Sequence, residues 1–172
     1  MTSHNESDFL KVISPFKDKV FRLAKRLLVS IEEAEDATQE VFFKLWKNKE
    51  KISDYKNIEA FAMTMTKNFC YDRLKSKQAG NLTLVHTNYK GKETPLEKSI
   101  EYKDAVNIVH SLIEQLPEMQ KIIIQLRDVE QYEFEEICDM VSMKPIAVRV
   151  ALSRARKTVR NALTKQQNYG VS

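Results

Sequence analysis

The chain has 172 residues, 28 Lys+Arg against 24 Asp+Glu for a net charge of +4, and 42% hydrophobic residues, enough for an ordinary core. Its three glycines, Gly80, Gly91 and Gly170, exclude a glycine-rich phosphate loop of either common kind, and with it most nucleotide-dependent enzymes. Cys70 and Cys138 lie far apart with no CxxC spacing, so they read as reduced core cysteines, with no disulfide and no metal site expected.

The start MTSHNESDF has no signal pattern, and no apolar run approaches the ~18 residues of a membrane span. The expectation is a soluble, cytoplasmic protein without membrane insertion. Its charge is unevenly divided. Residues 30–43 hold five acids and no base, residues 105–143 two bases and eight acids, and residues 144–165 seven bases and no acid. Such blocks suggest more than one kind of partner.

Taken in order, Phe9, Val12, Ile13, Phe16, Val20, Leu23, Ala24 and Leu27 follow the spacing of one buried helix face. Ser30-Ile-Glu-Glu33 is a capping-box pattern that starts a second helix near Ile31, with Ala34, Ala37, Thr38, Val41, Phe42 and Leu45 inward. Asp36, Gln39, Glu40, Phe43, Trp46 and Lys47 share the opposite face. Exposed aromatics beside acids have the chemistry of interface anchors; the competing reading folds Phe43 or Trp46 back as core. After a break at 52–57, Asn57 can cap a third helix to about Lys77. There Lys67, Asn68, Tyr71 and Arg73 combine charge, hydrogen bonding and stacking, which suits unstacked single-stranded DNA. The alternative is an amphipathic helix with Phe61, Met65, Phe69 and Tyr71 in the core.

Residues 78–95 hold two of the three glycines, Pro95 and few long apolar residues, and read as a linker. Helical spacing resumes at Ile100, Val106, Val109, Leu112, Ile113 and Leu116, and Pro117 suits the start of the next helix. A short helix over 133–141 turns Phe134, Ile137, Cys138 and Val141 inward. Pro145 then opens a long helix to Lys165, with Val148, Leu152, Ala155, Val159 and Leu163 on one face. At about 100° per residue, Ser153, Lys157, Val150 and Arg154 fall on the opposite side, Val150 being apolar where polar base readers are common, with Arg149 at the edge. A basic helix entered by a short turn from an acidic one is a helix-turn-helix arrangement, in which Arg reads guanine edges and Lys neutralises phosphates. The bland reading is a solvated basic face on a bundle helix.

Together these segments resemble a bacterial extracytoplasmic-function (group IV) sigma factor. Glu33-Ala-Glu-Asp-Ala-Thr-Gln-Glu-Val-Phe-Phe-Lys-Leu-Trp46 is similar to the family's D-A-E-D-x-x-Q-E-x-F-x-x-x-W polymerase-binding helix. Phe61-Ala62 through Asn68 to Asp72 and Lys75 is similar to its promoter-melting helix, W-L-x-x-I-A-x-N-x-x-x-D-x-x-R. Leu116-Pro117, Glu136-Ile137-Cys138, Val148-Arg149 and Arg154-Ala155-Arg156 are similar to its L-P…E-I-A…T-V-K…R-A-R region, although Lys144-Pro-Ile-Ala-Val148 replaces the usual S-x-G-T-V turn.

The resemblance implies an all-α protein of two small helical domains joined by a flexible linker, the C-terminal one a helix-turn-helix. The boundaries expected are 1–78 for polymerase binding and −10 melting, 79–99 for the linker, and 100–172 for −35 recognition. It implies a non-catalytic factor that directs core RNA polymerase to promoter DNA, with an anti-sigma factor as a further partner and no cofactor. By the same resemblance Asp36, Gln39, Glu40, Phe43 and Trp46 bind polymerase. Lys67, Asn68, Tyr71 and Arg73, with the 52–57 loop, take the −10 strand, and Arg149, Ser153, Arg154 and Lys157 the −35 duplex. The rival is a helix-turn-helix regulator that never binds polymerase and has no need of the acid–aromatic helix. An enzyme is disfavoured because His4, His86 and His110 have no partner carboxylate at useful spacing.

Overall fold

Proline and capping side chains divide the chain into helices. The computed structural model describes residues 2–28, 30–83 and 101–169. The N-terminal half consists of α1 (Thr2–Ile13), a 3-10 turn at Ser14–Phe16, α2 (Lys17–Leu28), α3 (Ile31–Lys47), a second 3-10 stretch at Lys49–Asp54, and α4 (Ile58–Thr83). The C-terminal half consists of α5 (Glu101–Glu114), α6 (Glu118–Ile124), a π turn at Gln125–Val129, α7 (Phe134–Val141) and α8 (Pro145–Tyr169). The fold is two helical domains, and no strand occurs among the described residues.

The single helix face expected over residues 9–27 is split by Pro15 at the start of the 3-10 turn. The turn changes the phase, so Phe9 and Ile13 remain buried while Val12 comes out to solvent. Ser30 caps α3 as expected, its Oγ accepting the Glu33 N–H at 3.4 Å. The Glu33 carboxylate instead reaches Lys77 at 2.5 Å and Arg73 at 3.8 Å on α4. Asn57 caps α4 by accepting the Ala60 N–H at 2.9 Å. That helix runs to Thr83, five residues into the expected linker; residues 84–100, with most of that linker, lie outside the described residues. A reciprocal capping box does occur at α7, between Glu133 and Glu136.

In the first half, Leu23 of α2, Leu45 of α3 and Met63 of α4 are fully buried together with Ala34, Ala37 and Ala62. Small residues let the three helices approach closely. In the second, Ile122, Ile123, Leu126, Ile137 and Met140 close over Val148, Leu152 and Ala155 of α8. Val106, expected on the inner face of α5, is exposed, while Ile113 and Leu116 are buried.

A polar chain joins the halves. Arg22 of α2 makes a two-pronged pair with Glu130, at 2.8 and 2.7 Å. Gln125 Nε2 donates to the same carboxylate at 3.1 Å, and Gln125 Oε1 accepts from Arg26 Nε at 3.0 Å. The Arg26 guanidinium also meets His110 Nδ1, and its Nη1 lies 3.7 Å from Glu114. Burial lowers the Arg26 pKa and Glu114 partly offsets this, whereas the Glu130 hydrogen bond raises that of Arg22. Nearby, Glu59 of α4 accepts from Lys19 at 2.6 Å and from the buried Tyr132 hydroxyl at 2.5 Å. Burial foremost, and then that carboxylate, push the phenol pKa up.

Candidate functional site

The outward face of α3 is set by the alanines on its inner face. With Ala34, Ala37, Val41 and Leu45 turned to the core, Asp36, Gln39 and Phe43 must face solvent, and Phe43 is 51% exposed. Asp36, Gln39, Glu40 and Phe43 line a shallow depression with Phe69 and Arg73 of α4. Its charges are paired: Arg73 lies 3.6 Å from Asp36, Lys44 lies 3.4 Å from Glu40, and the Lys47 ammonium sits 4.4 Å from the Phe43 ring centre. Trp46 stands apart from this group. It packs edge-on against Phe9 of α1 at 5.0 Å and is covered by the Lys49 ammonium at 3.9 Å.

The four α4 residues singled out in the sequence do not share one surface. Asn68 is exposed and shares a stripe with Asp72 and Lys75. Lys67 is only 8% exposed, and burial lowers its pKa. Arg73 is turned to the acids of α3. Tyr71 is half-buried, its pKa raised by burial and then by Glu118 of α6. Phe61, Met65, Phe69 and Tyr71 are half-buried; Ala62, Met63, Thr66 and Cys70 form the true inner face. There the thiol of Cys70 is pushed up by burial to about 12, as suits an inert core cysteine. Next to the α4 cap, Tyr55 stacks on Phe61 with ring centres 4.2 Å apart, a flat aromatic step at the domain edge. In the sequence its two halves stood apart, Tyr55 within the 52–57 loop and Phe61 at the head of the α4 motif, with nothing to show that the rings stack.

In the C-terminal half, α7 ends in a left-handed residue, Ser142 at φ 54°. The Ser142 N–H donates to Asp139 O and the Met143 N–H to Cys138 O, closing the helix in a Schellman turn. Two residues later Pro145 opens α8, and Val148, Leu152, Ala155 and Val159 bury the inner face of that helix. Ser153, Arg154 and Lys157 are exposed on the outside. Among the described residues their side chains make no ion pair or hydrogen bond. Arg149 is less free: its guanidinium lies 5.5 Å from the Phe134 ring centre. Arg156 is clamped to Asp128 by two contacts, one of them 2.9 Å.

This arrangement defines an all-helical, two-domain DNA-binding protein, with a helix-turn-helix in one half and an acid–aromatic surface of different chemistry in the other. The comparisons with known proteins divide at the same place. Residues 12–80 match the family model of Sigma-70 region 2, and residues 107–159 that of Sigma-70 region 4. The chain belongs to the sigma-70 family, and is an RNA polymerase sigma factor of the extracytoplasmic-function type. It is 22% identical over 170 residues to the ECF RNA polymerase sigma factor SigW of Bacillus subtilis, covering 92% of this chain and 90% of that one. To the RNA polymerase sigma-H factor of Pseudomonas aeruginosa it is 24% identical over 166 residues, covering 88% and 84%.

Among solved structures, the fold is shared with the sigma factor RpoE of Bartonella quintana in complex with the anti-sigma factor NepR. That likeness has a TM-score of 0.72 at 18% identity, over 91% of this chain and 97% of that one. CnrH in complex with the cytosolic domain of CnrY has the same fold, with a TM-score of 0.66 at 14% identity over 93% and 90%. No helix among the described residues is long and apolar enough to cross a membrane.

Proposed function

We propose a division of labour between the three exposed faces of this sigma factor. The α3 face (Asp36, Gln39, Glu40 and Phe43) docks on core RNA polymerase, and Trp46 braces that helix against α1. The stripe headed by Asn68, together with the Tyr55–Phe61 step, captures the unpaired −10 strand, and α8 reads the −35 duplex through Arg154 and Ser153, with Lys157 on phosphate. On this reading Lys67, Tyr71 and Arg73 support the −10 surface from within or beside it. The protein is non-catalytic and cytoplasmic, and an anti-sigma factor is a further partner, as it is for RpoE of Bartonella quintana.

The observation that carries the reading is a contrast of surfaces within one chain. The matched region 2 segment presents an acid–aromatic face and the matched region 4 segment a basic one whose Arg154 and Lys157 are unpaired among the described residues. A regulator that never meets polymerase leaves the first face unexplained. Run-off transcription with Asn68→Ala tests the assignment of the −10 surface. Activity should fall more on a duplex promoter than on one premelted at −10, since capture of each unstacked base is worth ~1–3 kcal/mol. Equal loss on both templates contradicts it.

A further inference from the structure

In a helix-turn-helix, residues at the start of the second helix contact base edges. The first turns of α8 present Ile146, 76% exposed, and Val150, 43% exposed, one helical turn apart. Counting about 100° per residue from Arg149, they lie at roughly 60° and 100°, within the arc of Ser153, Lys157 and Arg154. They therefore continue the basic face toward the N-terminus of the helix. The charged candidate nearest to them, Arg149, lies over Phe134 at the edge of that arc. An isoleucine this exposed, followed one turn on by an exposed valine, on a face that is polar or charged from Ser153 onward, lacks an apolar contact that a partner can supply.

The apolar feature that base edges offer in the major groove is the thymine 5-methyl group. We infer that Ile146 and Val150 are specificity-determining residues that read thymine 5-methyl groups in the −35 element. The preference at those positions is set by methyl contact, while Arg154 and Lys157 supply hydrogen bonding and phosphate neutralisation further along the helix. This inference rests on the proposed reading of α8 as the −35 helix. The occupant follows from continuity: the two residues extend the surface of Ser153, Arg154 and Lys157 and share its outward direction.

Deoxyuridine tests it, because it keeps the pairing edge and the O4 acceptor of thymidine and removes only the methyl. The chain is assembled with core polymerase, and two pools of promoter duplexes randomised upstream are selected for binding, one built with thymidine and one with deoxyuridine. In the thymidine pool, one or two upstream positions should favour T. In the deoxyuridine pool that preference should drop about fourfold per lost methyl, on the scale of one buried methylene. Ile146→Ala with Val150→Ser should abolish the difference between the pools, whereas Lys157→Ala should retain it. The exposed positions of both residues make unfolding by these changes easy to exclude with a thermal melt. Identical preferences from both pools, or a double variant that still separates them, overturn the inference. If no upstream sequence is enriched at all, or if Arg154→Ala with Lys157→Ala leaves enrichment unchanged, the −35 reading of α8 fails and the inference with it.

Discussion

On α3 the charges around the aromatic anchor already have partners: Asp36 faces Arg73, Glu40 faces Lys44, Glu33 holds Lys77, and Lys47 lies over Phe43. On α8, Ser153, Arg154 and Lys157 stand unpaired among the described residues, and only Arg149 and Arg156 are engaged within the fold. Surface pairs like those on α3 each contribute little stability, ~0–1 kcal/mol. They do restrict long side chains around the aromatic anchor, which lowers the entropy lost when a rigid protein partner docks. A surface meant for DNA gains from the opposite arrangement. Cations that are not already neutralised displace the counterions of the phosphate backbone, and that release drives binding.

The largest effect should come from disrupting the join that holds both faces on one body. Glu130 is almost fully buried and accepts from Arg22 and Gln125. Glu130→Leu should lower stability by about 3 kcal/mol, near the low end for a broken buried pair because Arg22 retains access to water. Urea denaturation measures this, and a loss below ~1 kcal/mol would show that the network contributes little. Next in size, Phe43→Ala should weaken core-polymerase binding by ~2 kcal/mol, about 30-fold, with helicity intact. Lys157→Ala should lower the salt slope of DNA binding by about one unit for all sequences alike. Asp36→Ala should leave that slope unchanged, and a shift there would blur the distinction between the faces.

Two smaller effects concern stability alone. Ser142 occupies a left-handed conformation that costs a side-chain-bearing residue ~1 kcal/mol, so Ser142→Gly should stabilise the fold by up to about that amount in a thermal melt. The pH effect follows from His110, whose pKa is lowered by burial and then by Arg26 and Lys25, with Glu114 acting the other way. The folded state therefore disfavours its protonation. Stability from this site is present above the ordinary histidine value of ~6.5 and declines as pH falls below it. Melting temperature should be lower at pH 5.5 than at pH 7.5, and His110→Asn should narrow the gap.

Helix starts were legible in the sequence because they depend on local chemistry: Ser30, Asn57 and Pro145 each mark a start where a cap or a fixed φ is needed. The helix-turn-helix was legible because the core and basic faces of α8 are cleanly opposed. The inner face of α4 was not. Phe61, Met63, Met65, Phe69 and Tyr71 surround that helix with apolar groups, so periodicity alone cannot give its phase. Packing against α2 and α3 selects Ala62, Met63 and Cys70, which carries Lys67 inward and turns Arg73 toward Glu33 and Asp36. Trp46 shows the same limit: its partner Phe9 lies on α1, beyond the break at Pro15 that the spacing of apolar residues did not register. Spacing alone put Val150 on the basic arc of α8, an apolar residue where polar base readers are common, whereas Ile146 escaped notice and only its exposure distinguishes it.

Run-off transcription by core polymerase on genomic fragments, with and without this chain, decides whether the chain directs polymerase to promoters. Discrete transcripts should depend on the chain, be lost with Phe43→Ala, and be redistributed or lost among promoters with Arg154→Ala. A chain that binds the same fragments without yielding a single dependent transcript would contradict that role.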